Sequence, residues 1–192
     1  MDMKKAQTWM NVICCGIFSI LTMKNLYVYD TTQVLLLSYL MLFYFFLDSA
    51  LLLKFPEINP YPQTVVIHHM ISALFLITGP LIQPEFGPIL IKIAVIEPTT
   101  WLRFFRRLIK PRRYYLLDVL SYASVFGVRH LWSPYLAYEL ILRSHESMSM
   151  TLTAAGVVFM NCMYVLWSVK YTLKTFMDEM LPSKEKGIAH TH

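Results

Sequence analysis

Residues 31–53 read TTQVLLLSYLMLFYFFLDSALLL, a run of mostly apolar side chains with one charged residue, Asp48. About 20 such residues in a helix are enough to cross the hydrocarbon core of a bilayer. A helix also satisfies its own backbone N–H and C=O groups, which lipid cannot do. The stretch therefore predicts a transmembrane helix with one carboxylate near its C-terminal end.

Apolar runs of similar length recur on both sides of this one, and no connection between them is long enough for a soluble domain. The sequence therefore predicts an all-α, polytopic membrane protein with about six transmembrane helices around a cavity open to the cytosolic side. The expected parts are an N-terminal segment at 1–8, a six-helix domain at 9–173 and a tail at 174–192. The spans are 9–27, 31–53, 64–82, 86–102, 114–132 (with Pro134 as a kink or exit) and 151–173.

The composition excludes several classes of protein. The chain has 192 residues, of which 56% are hydrophobic and 15% charged, and its mean hydropathy is +0.48. A soluble domain is typically about 25% charged, so too little polar surface is present for an ordinary cytosolic enzyme or a disordered chain. Cys14, Cys15 and Cys162 lie in apolar runs without metal-ligand or disulfide spacing, and we interpret them as reduced. Palmitoylation of Cys14 or Cys15 is the alternative.

The distribution of Lys and Arg predicts the orientation. With six spans both termini lie on one side, and the positive-inside rule makes that side cytosolic. Only Lys24 and Arg143 fall on the opposite side, whereas Lys92 and Arg129 lie within spans. The cytosolic set comprises Lys4, Lys5, Lys54, Arg103, Arg106, Arg107, Lys110, Arg112, Arg113, Lys170, Lys174, Lys184 and Lys186.

Ionisable residues lie at similar predicted depths in four spans. Counted at about 1.5 Å per residue, each lies roughly 6–8 Å inside the cytosolic boundary. Such groups are costly in a membrane, so each needs a partner, a water-filled cavity or a function. The sequence therefore predicts one polar layer made of Asp48, His68, His69, Glu97 and Asp118.

This layer has the residue types for acyl transfer or proton relay. A histidine beside a carboxylate can act as a general base or a nucleophile, and the acid fixes its tautomer. His68 and His69 lie about 100° apart around a helix, which lets one face a cavity while the other packs sideways. That geometry disfavours a shared metal. The catalytic candidates are His68, His69, Glu97 and Asp48, and the alternative is that these groups only lock helices together.

Other polar residues of the spans are binding candidates. Arg129, toward the far end of the fifth span, is suited to a carboxylate or a lipid headgroup, although snorkelling to the interface is equally consistent with its position. Lys92 is expected to line a polar cavity or to form a pair. Pro98 removes the helical donor for the carbonyl of Ala94, so a kink is expected beside Glu97.

Four motifs in order resemble the TLC-domain family, which includes ceramide synthases, TRAM translocation proteins and the small TLC-domain-containing proteins. An aromatic-rich segment ends in aspartate at 44–48, and a histidine pair lies in Ile67-His68-His69-Met70. An acidic, Thr/Pro-containing segment at 97–106 leads into arginine, and Phe126-Gly127-Val128-Arg129 supplies a late-helix arginine. Glu97 stands alone, with Thr99 and Thr100 where ceramide synthases have a second acid. The pattern is therefore closer to the small TLC-domain-containing proteins.

The resemblance implies a lipid-handling protein of the endoplasmic reticulum, with the plasma membrane as the alternative, acting in sphingolipid or phospholipid acyl homeostasis. Its partners would be membrane lipids and fatty acyl chains, not nucleic acid, and a homo-oligomer stays open. No cofactor is implied. In the enzymatic version a ceramide-synthase-like acyltransferase uses acyl-CoA as co-substrate, with Arg106, Arg129, Thr99 and Lys92 as binding residues. The non-enzymatic version is a membrane chaperone or cargo adaptor.

Overall fold

The computed structural model describes residues 3–109, 115–148, 150–163 and 166, and these residues form helices and connecting turns without a strand. The all-α prediction is therefore confirmed over this part of the chain. The helices are α1 (Met3–Tyr27), α2 (Thr31–Lys54), α3 (Pro62–Thr78), α4 (Gly87–Ala94), α5 (Ile96–Ile109), α6 (Tyr115–Val125), α7 (Ser133–Leu142) and α8 (Met150–Met163), with a π-helical segment at Phe126–Trp132 between α6 and α7.

A tight turn joins α1 to α2. Asp30 is the N-cap of α2, where its carboxylate accepts hydrogen bonds from the backbone N–H groups of Thr32 and Gln33. The hydrogen bond from the Gln33 backbone, with the one from Thr32, holds the pKa of Asp30 below its usual value. Asn25 accepts a bond from the Asp30 backbone N–H, which ties the cap to the end of α1. The cap satisfies otherwise unbonded donors and fixes the antiparallel start of α2.

The predicted kink near Pro98 is present. Helix α4 ends at Ala94 and α5 begins at Ile96, so the helical run is interrupted at Val95. The missing N–H of Pro98 leaves the Ala94 carbonyl without its helical donor, which accounts for the position of the break. The helix continues past the predicted span boundary at residue 102 and ends at Ile109. Arg103 and Arg106 therefore lie on a helix and not in a connection.

Pro134 does not end the fifth predicted span. The helical run continues from Tyr115 through the π-helical segment to Leu142. The backbone N–H of Ser133 bonds to the carbonyl of Val128, five residues earlier. This wider turn directly precedes the proline and lets the chain pass its ring without breaking the helix.

Helices α1 and α2 are long and apolar enough to cross a membrane, whereas α3 and α8 are shorter apolar helices. The prediction of six spans is not tested by this finding. Around α2, α1 packs on one side and α3 on the other, and α1 also lies along α5. The core between α1, α2, α3 and α4 is apolar; its buried members are Phe18, Val34, Leu37, Met41, Tyr44, Phe45, Ala73, Leu76, Leu90, Ile91 and Ala94.

Helix α1 has an inverted distribution of side chains. Four of its polar residues are buried, together with Val12, Cys15 and Phe18, while large apolar residues such as Ile13 and Ile20 are 57% and 70% exposed. In a water-soluble helix the apolar stripe is the buried one. This inversion is the pattern expected of a helix whose outer face meets lipid. The buried polar residues of α1 are Gln7, Asn11, Thr22 and Asn25.

Candidate functional site

A cavity of about 540 Å³ lies between the helices. It has a polar region, to which α1, α2, α3, α5 and the π-helical segment contribute. Beyond this region its walls are apolar and come from the C-terminal half of α3, from α4, from α7 and from α8. A cavity of this size is in the range that holds a small-molecule ligand. The apolar wall includes Leu74, Phe75, Leu76, Leu90, Ile93, Leu136 and Leu152.

His69 is buried at the polar region of the cavity. Its ring stacks on Phe45, with ring centroids 4.9 Å apart. Its Nδ1 atom lies 3.3 Å from the Ser49 hydroxyl and 3.8 Å from Oδ2 of Asp48. The other carboxylate oxygen of Asp48 accepts a hydrogen bond of 2.8 Å from Nε2 of Gln7. His69 is thus held from two sides, by an aromatic ring and by a polar group anchored to α1.

His68 has a different environment, although it is the adjacent residue. It is half-buried on the cavity wall, and its Nδ1 atom lies 3.4 Å from the Ser72 hydroxyl one turn later on α3. Its ring centroid is 5.5 Å from that of His69. When Nδ1–H donates to the Ser72 oxygen, Nε2 carries the free lone pair and can accept a proton. His68 therefore has the geometry of a base on the cavity wall.

Glu97 and Arg129 form a second polar group. The Cys15 thiol donates a hydrogen bond to the Glu97 carboxylate, and Arg129 is close enough to interact electrostatically with Glu97 and with His68. The Arg129 guanidinium also donates a 3.0 Å hydrogen bond to the Thr100 hydroxyl. The π-helical segment places Arg129 on the cavity wall, and its interaction with Glu97 agrees with the expectation that it pairs with a carboxylate. Short π-helical segments are frequent at functional sites.

The carboxylates of the predicted polar layer contact α1 at two different residues. Asp48 contacts Gln7 of α1, whereas Glu97 contacts Cys15, eight residues further along the same helix. That separation corresponds to about 12 Å along the helix axis. Cys15 and Tyr44 are nevertheless within electrostatic range of both Asp48 and Glu97, so the shared layer stays a prediction. The side chain of Asp118, the fifth predicted member, lies outside the described residues.

The other predicted binding residues have different surroundings. Thr99 is buried and its hydroxyl donates to the Ile96 carbonyl of its own helix, so Thr100 is the threonine on the cavity wall. Lys92 forms an ion pair with Glu139, a partner that links α4 to α7. Arg106 follows Glu97 by nine residues, which places it on the opposite face of α5, away from the cavity lining.

Sequence reasoning missed the contribution of α1. Gln7, Asn11 and Cys15 recur every four residues, so they share one face of the helix. Asn11 accepts a hydrogen bond from the Tyr44 hydroxyl, midway between the contacts of Gln7 and Cys15. The four-residue spacing of these polar side chains indicates a shared face. The side chains are uncharged, however, so the cost of burying an ionisable group does not draw attention to them. All three line the cavity.

No family model, no curated protein and no solved structure matches this chain. A functional interpretation consequently depends on the geometry of the cavity and on the sequence motifs. That geometry combines a proton acceptor, a carboxylate–guanidinium group and an apolar space. It can hold a molecule with a long apolar part and act on a polar group beside His68.

Proposed function

We propose that the chain is an integral membrane protein with six transmembrane helices and both termini in the cytosol. The inverted side-chain distribution of α1 supports contact with lipid, and the excess of Lys and Arg on one predicted side supports the orientation. The endoplasmic reticulum is the proposed location, on the resemblance to TLC-domain proteins.

The proposed function is lipid handling in sphingolipid or phospholipid acyl homeostasis. The observation that carries the proposal is the cavity itself, in which His68 and Glu97 share one space with an apolar wall. Such a wall can take an acyl chain, since burial of each CH₂ group there is favoured by about 0.8 kcal/mol relative to water. The polar region would then hold the group to which the chain is attached.

In its enzymatic form the protein transfers an acyl group from acyl-CoA to the amine of a long-chain base. The new amide C–N bond replaces the C–S bond of the thioester, the amine loses a proton, and CoA leaves as its thiol. His68 is suited to take that proton, or to attack the thioester carbonyl itself. His69, held by Phe45, Ser49 and Asp48, supports the wall on which His68 lies.

An acyl-transfer assay tests this function. Pure protein in proteoliposomes is incubated with oleoyl-CoA and sphinganine, and the amide product is measured. We expect activity in the parent and a loss of at least about 100-fold in His68→Ala, the range assigned to a general base. His145→Ala is the matched control, since His145 is exposed in the turn after α7.

The outcomes separate the enzymatic form from simple lipid binding. A parent that binds oleoyl chains without consuming oleoyl-CoA contradicts acyl transfer and supports a non-enzymatic lipid carrier. Equal activity in the parent and in a folded His68→Ala variant contradicts the role of the histidine.

A further inference from the structure

Arg103 is a cation on the cavity wall whose charge has no partner in the described part of the chain. It lies on α5, is half-buried, and makes neither a hydrogen bond nor an ion pair with the described residues. Arg129, also on the wall, donates to Thr100 and interacts with Glu97. The two arginines therefore differ: Arg129 is held by the protein, whereas Arg103 offers its guanidinium to the cavity.

The position of Arg103 indicates which end of the cavity it serves. It follows Glu97 by six residues, which is about 9 Å toward the C-terminal end of α5. Thr64 precedes His68 by four residues, which is about 6 Å toward the N-terminal end of α3. Helix α4 begins beside the turn between α1 and α2, whereas α3 begins just after α2 ends. The run from α4 to α5 is therefore antiparallel to α3, and the two displacements point to the same end of the bundle. The connection between α2 and α3 adds Asn59 and Tyr61 to the lining there.

The apolar wall lies in the opposite direction from His68. Leu74, Phe75 and Leu76 follow the histidine on α3, and Leu90 and Leu136 face the same space. A ligand with an apolar chain in this part of the cavity would therefore have its polar end beside Arg103. His68 would then lie between the two ends of the ligand.

We propose that Arg103, with Asn59, Tyr61 and Thr64, forms a subsite for a phosphate group carried by the ligand whose acyl chain occupies the cavity. The inference rests on the proposed function, since it assumes an acyl chain against the apolar wall. A guanidinium suits this task because its planar fork of N–H donors matches the oxygens of a phosphate. The phosphate belongs either to a lipid headgroup or to acyl-CoA.

Binding measurements with three oleoyl probes test the subsite independently of catalysis. The probes are monooleoylglycerol, which carries no charge, oleoyl lysophosphatidic acid and oleoyl-CoA. Each competes with a fluorescent monoacylglycerol for protein in phosphatidylcholine nanodiscs, and empty nanodiscs correct for partition into lipid. The variants are Arg103→Gln and Arg106→Gln, which remove the same charge one turn apart on α5, and of the two only Arg103 lines the cavity.

We expect Arg103→Gln to weaken the two phosphate probes at least about tenfold, as the loss of a charged hydrogen bond does. Arg103→Gln should bind monooleoylglycerol with the affinity of the parent. Arg106→Gln should bind all three probes with the affinity of the parent. The phosphate probe that loses more affinity identifies the source of the phosphate.

Three results would overturn the subsite. If Arg103→Gln and Arg106→Gln lose equal affinity for the phosphate probes, only the general positive charge of α5 matters. If Arg103→Gln loses as much affinity for monooleoylglycerol as for the phosphate probes, the substitution has caused a structural defect. If the parent binds the phosphate probes no more tightly than monooleoylglycerol, the cavity has no phosphate subsite, although it still binds an acyl chain. If no probe binds the parent, the proposed function fails together with the subsite.

Discussion

Two adjacent histidines of α3 have different surroundings. His69 is buried, stacks on Phe45 and has its Nδ1 atom beside Ser49 and Asp48, whereas His68 lies on the cavity wall with Ser72. Adjacent residues of a helix point about 100° apart, so one position per pair can pack while the other faces a ligand. The proposed function thus assigns a structural role to His69 and a chemical role to His68.

This division predicts opposite results for two alanine variants. His69→Ala should lower the free energy of unfolding by about 1–3 kcal/mol, because it opens a void beside Phe45 and leaves Asp48 with less of its polar surroundings. His68→Ala should change stability by less than about 1 kcal/mol and should lose acyl transfer. Thermal unfolding in detergent, measured with the transfer assay, separates the two effects. Equal stability losses would contradict the division.

At the level of residues, the charged side chains of the candidate site could be predicted from the sequence, but their neutral partners could not. Asp48, His68, His69, Glu97 and Arg129 were recognised because ionisable groups in apolar runs need a reason to be there. Gln7 was not, since an amide at the start of an apolar helix has many ordinary explanations. The contact that identifies it, a 2.8 Å bond to Asp48, joins residues 41 positions apart. Only the packing of α1 on α2 reveals such a pair.

Two glycines of the helical elements provide a matched test of the backbone. A Cβ atom at Gly127, in the π-helical segment, would meet nothing within 4 Å, while one at Gly79 would lie 2.8 Å from the Phe75 carbonyl oxygen. Gly127→Ala should therefore raise the free energy of unfolding by about 0.4–1 kcal/mol by restricting the unfolded chain. Gly79→Ala should lower it by about 1–3 kcal/mol.

Thermal unfolding of both glycine variants checks this prediction. A destabilised Gly127→Ala protein would mean that the π-helical segment needs the freedom of glycine to present Arg129. Acyl transfer by that variant, measured in parallel, would then be reduced as well.

The ion pair between Lys92 and Glu139 links α4 to α7 and is suited to a double-mutant cycle. Each single change, Lys92→Met or Glu139→Gln, leaves one charge without its partner beside an apolar surface, so each should be destabilising. The double variant should be more stable than the sum of the two changes implies. We expect a coupling energy of about 0.6–1.7 kcal/mol, the range for polar contacts between membrane helices. Additive effects in thermal unfolding would contradict the link.

Two prolines show how far helix boundaries could be predicted. Pro98 was expected to break its helix, and the chain is interrupted at Val95. Pro134 was expected to kink or end its helix, yet the helix continues to Leu142. The difference lies in the π-helical turn before Pro134, whose hydrogen bond from Ser133 to Val128 depends on a register that apolar patterning does not encode. Local rules predict that a proline lacks a backbone N–H donor. They do not predict how the rest of the helix adjusts its hydrogen bonds to this loss.

At the scale of the molecule, the proposed topology predicts which connections face the cytosol. Glycosylation acceptor sites inserted at 79–86 or at 143–148 should be modified on the lumenal side, because each follows an odd number of predicted spans. A site inserted at 56–60 should stay unmodified. Gel shifts after translation with microsomes, reversed by an endoglycosidase, provide the measurement. Modification at 56–60 would contradict the positive-inside assignment.

The arrangement of the whole molecule was the least predictable from sequence. Composition and apolar runs were sufficient for an all-α protein and for α1 and α2 as helices long enough to span. The depth of each polar group was not predictable, since it depends on where helices end. Helix α5 continues seven residues beyond the predicted span boundary at 102. Seven residues of helix correspond to about 10 Å, so a depth counted from the helix end differs by that much from a depth counted from the predicted boundary.

The buried polar face of α1 has a consequence for how the protein is made. Gln7, Asn11 and Cys15 find their partners on helices synthesised later, with Asp48 and Tyr44 on α2 and Glu97 on α5. In the proposed membrane protein, α1 enters the bilayer before those partners have been synthesised, so its polar side chains then face lipid or the insertion machinery. Helix α1 therefore reaches its final environment only after α5 has been inserted.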